Sequence, residues 1–248
     1  MNDLFQSVPF IAGTFFLAGT VKGLIGLGLP TVAMGLLGLM MPSVEAAALL
    51  LVPSLVTNVW QLFAGSHLGV LLRRLWTMML GVAAGTFAAS GLIAGTAAHA
   101  ATAALGATLA LYGILGLLKP RLQLPQKAEP WAGPLVGTAT GLVTGATGVF
   151  VVPAVPYLNS LGLGRDHLVQ ALGLSFTFST LALAAGLAWH GALSIEVAGV
   201  SSLALLPALA GMIVGGWLRA RVEPETFRRC FFVGLLVLGC ELAWRGMV

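Results

Sequence analysis

A single lysine stands inside an uncharged apolar segment near the amino terminus. Lys22 is the only charged residue between Val8 and Leu29, a stretch long enough to cross a hydrocarbon core. An ammonium in the membrane interior costs about 2.5 kcal/mol or more, and it usually faces a cavity in which it has a task. The chemistry that suits it is the binding of an anion; reaching an interface along its own stem or forming a structural ion pair are the alternatives. Lys22 is therefore the first candidate substrate ligand.

Uncharged hydrogen-bonding side chains lie in further apolar segments. Asn58 and Gln61 are three residues apart and share one face of a predicted helix. Amides and hydroxyls in a bilayer must pair, either with a neighbouring helix or with the oxygens of a substrate, and the residues alone leave both interpretations open. The candidate substrate-binding side chains of this kind are Asn58, Gln61, Thr144, Ser175, Ser179 and Thr180.

Glycines and prolines interrupt two apolar segments and could offer backbone donors to a ligand. The breaks are Gly19-Thr-Val-Lys22-Gly23-Leu-Ile-Gly26-Leu-Gly28-Leu-Pro30 and Gly141-Leu-Val-Thr144-Gly145-Ala-Thr147-Gly148-Val-Phe-Val-Val-Pro153. Glycine costs about 1 kcal/mol in a helix interior and proline about 3. A helix that begins after each proline presents free N–H groups to an anion, whereas a kink repaired by neighbouring helices is the alternative. The candidate backbone positions are Gly26, Gly28, Thr31, Gly148 and Ala154.

The composition identifies the class of protein that must position these residues. Hydrophobic residues make up 58% and charged residues 8% of the 248, and the mean hydropathy is +0.99. Such a chain cannot cover a water-facing surface, and its apolar runs have the length of helices rather than of barrel strands. We expect an all-α integral membrane protein. Paired carboxylates, a metal-binding spacing and a phosphate-binding loop are not visible, so neither an enzyme with catalytic residues nor a metal or cofactor is expected.

Ten helical segments are predicted, five in each half of the chain. Thr31–Met41, which follows the first break, has only 11 residues, and Ala154–Leu161, which follows the second, has eight. Both are too short to span a membrane, so each is interpreted as half of a discontinuous or re-entrant helix. A polar linker, residues 119–130, which includes Arg121, divides a first transmembrane repeat, 1–118, from a second, 131–248. The predicted segments are Val8–Leu29, Thr31–Met41, Ser43–Ala64, Leu71–Ala94, Ala97–Leu118, Trp131–Val152, Ala154–Leu161, Asp166–Trp189, Ile195–Trp217 and Thr226–Trp244.

The two halves match each other at a fixed offset. A shift of 122 residues places Gly19, Gly23, Gly26, Asn58 and Gly69 over Gly141, Gly145, Gly148, Thr180 and Gly191. If each half crosses the membrane an odd number of times, ten of the twelve Lys and Arg residues face one side, which the positive-inside rule makes cytoplasmic. The halves are then inverted repeats with both termini periplasmic, an architecture typical of alternating-access transporters.

The motifs resemble those of one known family. A Gly-rich broken helix ending in Pro30, a following Pro42-x-x-Glu45-Ala46 helix with Asn58 near its far end, and a second copy after a basic linker are similar to the TauE/SafE permeases over nearly the whole chain. In place of two further glycines that the family pattern favours, this sequence has Leu27 and Phe150. The resemblance implies a carrier in the bacterial inner membrane, characteristically an exporter of sulfite, sulfonates or related organosulfur anions.

The expected partners follow from this interpretation. They are a small anionic substrate and the lipid bilayer, with a homodimer as an open alternative and no nucleic acid. Transport coupled to protons through Lys22 is conceivable on the same argument. An anion channel, or a carrier of another small carboxylate or inorganic anion, remains the alternative function.

Overall fold

The computed structural model describes residues 2–95, 98–119 and 123–247, which consist of helices and their connections, without a strand. Arg121 of the predicted linker, the expected helix start at Ala97 and the two terminal residues lie outside the described residues. Seven of the helices are long and apolar enough to cross a membrane. This confirms the predicted all-α membrane fold. The helices are α1 Asn2–Ile25, α2 Leu29–Leu37, α3 Ser43–Phe63, α4 Leu68–Ala94, α5 Ala98–Leu118, α6 Glu129–Thr147, α7 Ala154–Ser160, α8 Arg165–Trp189, α9 Ile195–Leu218 and α10 Pro224–Met247.

The two breaks occur at glycines rather than at the prolines. α1 ends at Ile25 instead of the predicted Leu29, because Gly26 and Gly28 adopt left-handed φ values of 79° and 107°. α6 likewise ends at Thr147 rather than Val152, with Gly148 at φ 72°. The prediction that Thr31 begins the next helix was wrong by two residues, because Pro30 fits the first helical turn, where its missing N–H costs nothing.

The start of α6 also differs from its prediction. Residues 126–128 form a short 3-10 turn, and α6 begins at Glu129, two residues before the expected Trp131. Pro130 lies in the first turn of the helix, a position that proline tolerates. Arg74 in the second turn of α4 forms an ion pair with Glu129 at 2.6 Å and fixes this end of α6.

Small residues bring three pairs of helices into backbone contact. A methyl group added at Gly19 of α1 would come within 2.1 Å of the Ala208 carbonyl oxygen of α9. At Gly137, where α6 meets α4, it would lie 2.2 Å from the Met78 carbonyl oxygen, and at Gly106, where α5 meets α10, it would lie 2.1 Å from the Ala243 backbone nitrogen. In a bilayer such close approach maximises van der Waals contact between helices. The pairs α1/α9, α4/α6 and α5/α10 therefore form the frame, with α3 and α8 the most buried of the membrane-length helices described.

The helix pairing has the same form when the halves are exchanged. In the repeat, α1 to α5 correspond to α6 to α10 in the same order. Exchanging counterparts turns the pair α1/α9 into α6/α4 and the pair α3/α9 into α8/α4, while α5/α10 and α3/α8 are unchanged. The repeat counterparts Asn58 and Thr180 contact each other directly, with Asn58 Nδ2 donating to Thr180 Oγ1 at 3.4 Å. This pairing is consistent with the predicted inverted repeats.

Basic side chains collect at one end of the helix bundle. Arg165, Arg219 and Arg228 line one cavity, and Arg228 and Lys119 line its neighbour. Arg245 lies 17 residues further along α10 than Arg228, about 26 Å in a helix, and there it donates to the Leu39 carbonyl oxygen at 3.4 Å. We call the end that carries Lys119, Arg165, Arg219 and Arg228 the basic end.

Labelling of introduced cysteines tests the predicted orientation. With Cys230 and Cys240 replaced by alanine, we expect a cysteine at Asn2 to react with an impermeant maleimide applied to intact cells. A cysteine at Gln126 should react only after the inner face is opened, because the basic end should face the cytoplasm. Reaction of both cysteines from the same side would contradict the inverted arrangement of the halves.

Candidate substrate site

Lys22 lies in the last turn of α1, is 4% exposed and is held by uncharged partners. Its Nζ donates to Thr57 Oγ1 at 2.9 Å and to Asn58 Oδ1. No ion pair involves Lys22 within the described part of the chain. A buried ammonium without a carboxylate is costly unless something anionic joins it. Within the described residues, Lys22 is therefore bound by neutral acceptors and is not neutralised by a carboxylate.

Hydrogen bonds within α3 fix the two partners of Lys22 in the accepting orientation. Thr57 donates its proton to the Pro53 carbonyl oxygen at 2.7 Å, which leaves the hydroxyl oxygen free to accept from the lysine. Asn58 donates from Nδ2 to Ser54 Oγ at 3.2 Å and to Thr180, so that its carbonyl oxygen faces Lys22. Both partners thus direct acceptors, not donors, at the ammonium.

Proline in α3 explains a further cross-link. Pro53 has no N–H, so the carbonyl oxygen of Leu49 loses its helical partner. Ser201 of α9 donates to that oxygen at 2.8 Å, and its own oxygen accepts from the Val52 N–H at 3.2 Å. α3 is thereby tied to α9 about two helical turns before the residues that hold Lys22.

A cavity of about 770 Å³ opens beside Lys22 toward the basic end. We call it the lysine cavity. Besides Lys22, its wall carries three guanidinium groups and a single carboxylate, so its potential is positive, and such a field concentrates small anions. Its polar lining residues are Lys22, Thr57, Gln61, Arg165, Asp166, Gln170, Arg219 and Arg228.

Arg219 fastens the broken end of α1. Its Nε donates to the Leu24 carbonyl oxygen and its Nη2 to the Gly23 carbonyl oxygen, both at 2.8 Å. These carbonyls have no helical partner because the chain turns at Gly26, and a cation at a helix C-terminus is also favoured by the helix dipole. Arg219 therefore holds the last turn of α1, and with it Lys22, against α9.

Two glutamines join α3 to α8 on the other wall of the cavity. Gln61 Nε2 donates to the Val169 carbonyl oxygen at 3.0 Å. Gln170 Nε2 donates at 2.8 Å to the carbonyl oxygens of both Leu62 and Gly65, and its Oε1 accepts from the His67 N–H at 3.0 Å. Gln61 thus uses its amide nitrogen for structure, while its Oε1 is buried without a partner among the described residues.

The cavity brings together only part of the predicted site. Gly26 and Gln61 line it with Lys22. Asn58 accepts a hydrogen bond from Lys22, and Thr180 accepts one from Asn58. The remaining candidates are buried and do not line the cavity. Gly28 packs against Val21 and Phe231, and Gly148 packs against Met34 and Ala47. The hydroxyls of Thr31 and Thr144 donate to the carbonyl oxygens of Gly28 and Thr140, and Ala154, Ser175 and Ser179 also lie away from the cavity wall.

The sequence interpretation missed several residues of the site. Arg165, Arg219 and Arg228 were used only to orient the chain, and Gln170 and Asp166 were not considered. The sequence did contain a usable signal for Arg219. It follows an apolar helix in which Gly211 and Gly215 are four residues apart, the same spacing as Gly19 and Gly23 in α1. For Arg165 and Gln170 the sequence contains no such signal, because they reach the cavity only through the α3/α8 contact.

One protein family matches nearly the whole chain. The family model described as Sulfite exporter TauE/SafE matches residues 11–242. The chain belongs to the TauE/SafE family. No curated protein and no solved structure matches it. Membership makes this TauE/SafE protein a membrane transporter, and the match extends over both breaks, Lys22 and all four basic-end residues named above.

Proposed function

We propose that this TauE/SafE protein is a secondary carrier of sulfite, sulfonates or related small organosulfur anions, and that Lys22 binds the anion. The observation that carries the proposal is the uncompensated ammonium of Lys22 at a positively charged cavity. An anion leaving water must exchange its hydration for charge-assisted hydrogen bonds. Lys22 supplies these, and none of the described carboxylates forms an ion pair with it.

The hydrogen-bond capacity of Lys22 fits one more ligand. An ammonium has three donors, and Thr57 and Asn58 occupy two of them. The third has no acceptor in the described part of the chain and can serve an anionic oxygen from the cavity. Arg165 and Arg219, nearer the mouth, provide attraction at longer range, which speeds entry more than it adds affinity.

Closure of the opposite end favours a carrier over an open channel. Val149, Phe150 and Val151, between α6 and α7, are completely buried, as is Met34 of α2, which packs on Gly148. A pore that conducts continuously would need a polar path through this region. In our proposal the cavity open at the basic end loads the anion from the cytoplasm, and a second conformation releases it on the other side, which gives export.

Flux measurements in vesicles test the proposed function. Purified protein reconstituted in liposomes should transport sulfite or a small sulfonate with saturating kinetics and counter-transport, because a carrier binds its substrate at each crossing. A panel that includes chloride, phosphate, acetate and oxalate, with and without a proton gradient, identifies the preferred anion and any coupling. Flux that rises linearly with concentration would instead identify a channel, and no flux of any sulfur anion would overturn the substrate assignment.

A further inference from the structure

A second cavity of about 790 Å³ lies beside the lysine cavity and shares Ile25 and Arg228 with it. It is bounded by α5 and α10 on one side and by α7 and residues 123–124 on the other. Leu124 N–H donates to the Ser160 carbonyl oxygen at 3.1 Å, which closes the wall between linker and α7. We call this space the linker cavity. Nothing in the proposed anion transport uses it.

The interior wall of the linker cavity is mainly apolar. Ile25, Leu27, Leu115, Val155 and Phe232 contribute to it. A small inorganic anion gains nothing from such a wall, whereas a hydrocarbon chain is stabilised by each methylene group it buries there. The apolar part of an occupant is therefore large.

Cations outnumber carboxylates at the rim. Glu225 is shared by Lys119, by Arg228 Nη2 at 3.5 Å and by Arg229 Nε at 3.5 Å, which leaves an excess of positive charge in this cluster. Lys119 and Arg228 also line the cavity. A phosphate group is the natural partner of clustered ammonium and guanidinium groups.

Unsatisfied donors add an independent observation. Tyr112 lines the cavity, is 3% exposed, and its hydroxyl has no hydrogen-bond partner among the described residues. The Nε of Arg228 is also buried without a partner, although Nη1 donates to the Gly116 carbonyl oxygen at 2.9 Å. Tyr112 and Arg228 both pack on Phe232, so the two donors lie in one neighbourhood.

The position of the cavity selects the source of such a ligand. Leu118, next to Lys119, is 72% exposed on an apolar helix, so in a membrane it faces lipid. Basic pockets between membrane helices on the cytoplasmic side hold the headgroups of anionic lipids. We propose that the linker cavity binds an anionic phospholipid of the cytoplasmic leaflet, with its phosphate at Lys119 and Arg228 and an acyl chain along Ile25, Leu115 and Phe232.

The lipid would contact the break between α1 and α2. Ile25 and Leu27 flank Gly26, which itself lines the lysine cavity. An acyl chain packed on Ile25 and Leu27 supports the connection between α1 and α2 in the conformation that is open at the basic end. The bound lipid is thus a structural ligand distinct from the transported anion.

Native mass spectrometry of the purified full chain in nanodiscs measures the binding. The discs contain phosphatidylcholine with a minor fraction of phosphatidylglycerol. The readout is the amount of phosphatidylglycerol that stays bound to the protein after the protein is released from the disc. We expect Lys119→Gln to lower retention about fivefold, the effect of removing one cation from an anionic headgroup. Leu115→Trp, which fills the cavity and keeps its charges, should lower retention and abolish the rise in Tm that phosphatidylglycerol gives the wild type.

The matched control is Arg221→Gln. Arg221 is a basic residue of the same end, but it stacks on Trp217 at 3.7 Å and lies outside the cavity wall. The Arg221→Gln protein should retain as much phosphatidylglycerol as the wild type. Equal retention in all three variants would overturn the proposal, as would displacement of the lipid by millimolar inorganic phosphate, which would identify a site for free phosphate. Sulfite binding to the protein in discs of phosphatidylcholine alone tests the proposed role of Lys22 separately, because these discs contain no anionic lipid.

Discussion

Replacing Lys22 by alanine is expected to remove most anion binding while the chain stays folded. A hydrogen bond to a charged group contributes about 1.5–3 kcal/mol, so the Kd for the preferred anion should rise about 10- to 150-fold. Folding should tolerate the change, because it removes a buried ammonium whose partners, Thr57 and Asn58, are uncharged. Binding to purified protein in nanodiscs, with melting followed in parallel, measures both effects.

Two comparison variants make the Lys22 result specific. Arg221→Ala removes a positive charge of the basic end that does not line the lysine cavity, and it should leave the Kd unchanged. Lys22→Arg should restore binding only in part, because a planar guanidinium does not reproduce the geometry of a compact ammonium between Thr57 and Asn58. Unchanged affinity in a normally folded Lys22→Ala protein would exclude Lys22 from the site.

Adding one methyl group at Gly211 is expected to destabilise the fold strongly. The new Cβ would lie 2.0 Å from the Phe16 carbonyl oxygen, and the Thr20 N–H nitrogen is 2.8 Å away. Because both atoms belong to the α1 backbone, they cannot move aside without separating the helices. Overpacking of this kind costs about 1–3 kcal/mol and sometimes more. Gly211→Ala should therefore lower the Tm and the yield of protein from the membrane.

Gly216 supplies the matched control on the same helix. No atom lies within 4 Å of a Cβ built there, so Gly216→Ala should leave the Tm unchanged or raise it through better helix propensity. The comparison keeps the helix, the residue type and the added volume constant and changes only the contact with α1. If the two alanine variants melt together, the close approach of α1 and α9 is not a major source of stability.

The fold was predictable to the extent that it depends on local apolar runs. Helix-length segments with few charges must span the membrane as helices, so their number and order followed from hydropathy. The ends of α1 and α6 were not predicted correctly. A proline was taken as the stronger breaker, whereas Pro30 is accommodated in a first turn and the left-handed Gly26 and Gly148 end the helices.

The site was predictable only where a residue type is energetically unfavourable in its own segment. Lys22 was identifiable because a charged side chain in an apolar membrane helix is unfavourable and is usually functional. Arg219 was not, since its contact with Leu24 joins residues 195 positions apart and depends on how α9 packs. The candidates of the second half, Thr144 and Ser179, do not line the lysine cavity. A single conformation opens at one end, so only one break lines the lysine cavity.

The glycine-mediated pairing has a mechanical consequence. Each of the closely packed pairs α1/α9, α4/α6 and α5/α10 takes one helix from each half of the sequence. Neither half can therefore tilt as a rigid block without tearing backbone contacts from its partner. The bodies that shift between conformations are expected to be these interleaved pairs, which slide along α3 and α8. By the same argument, the two halves expressed as separate polypeptides should be insoluble alone and should assemble only when they are made together.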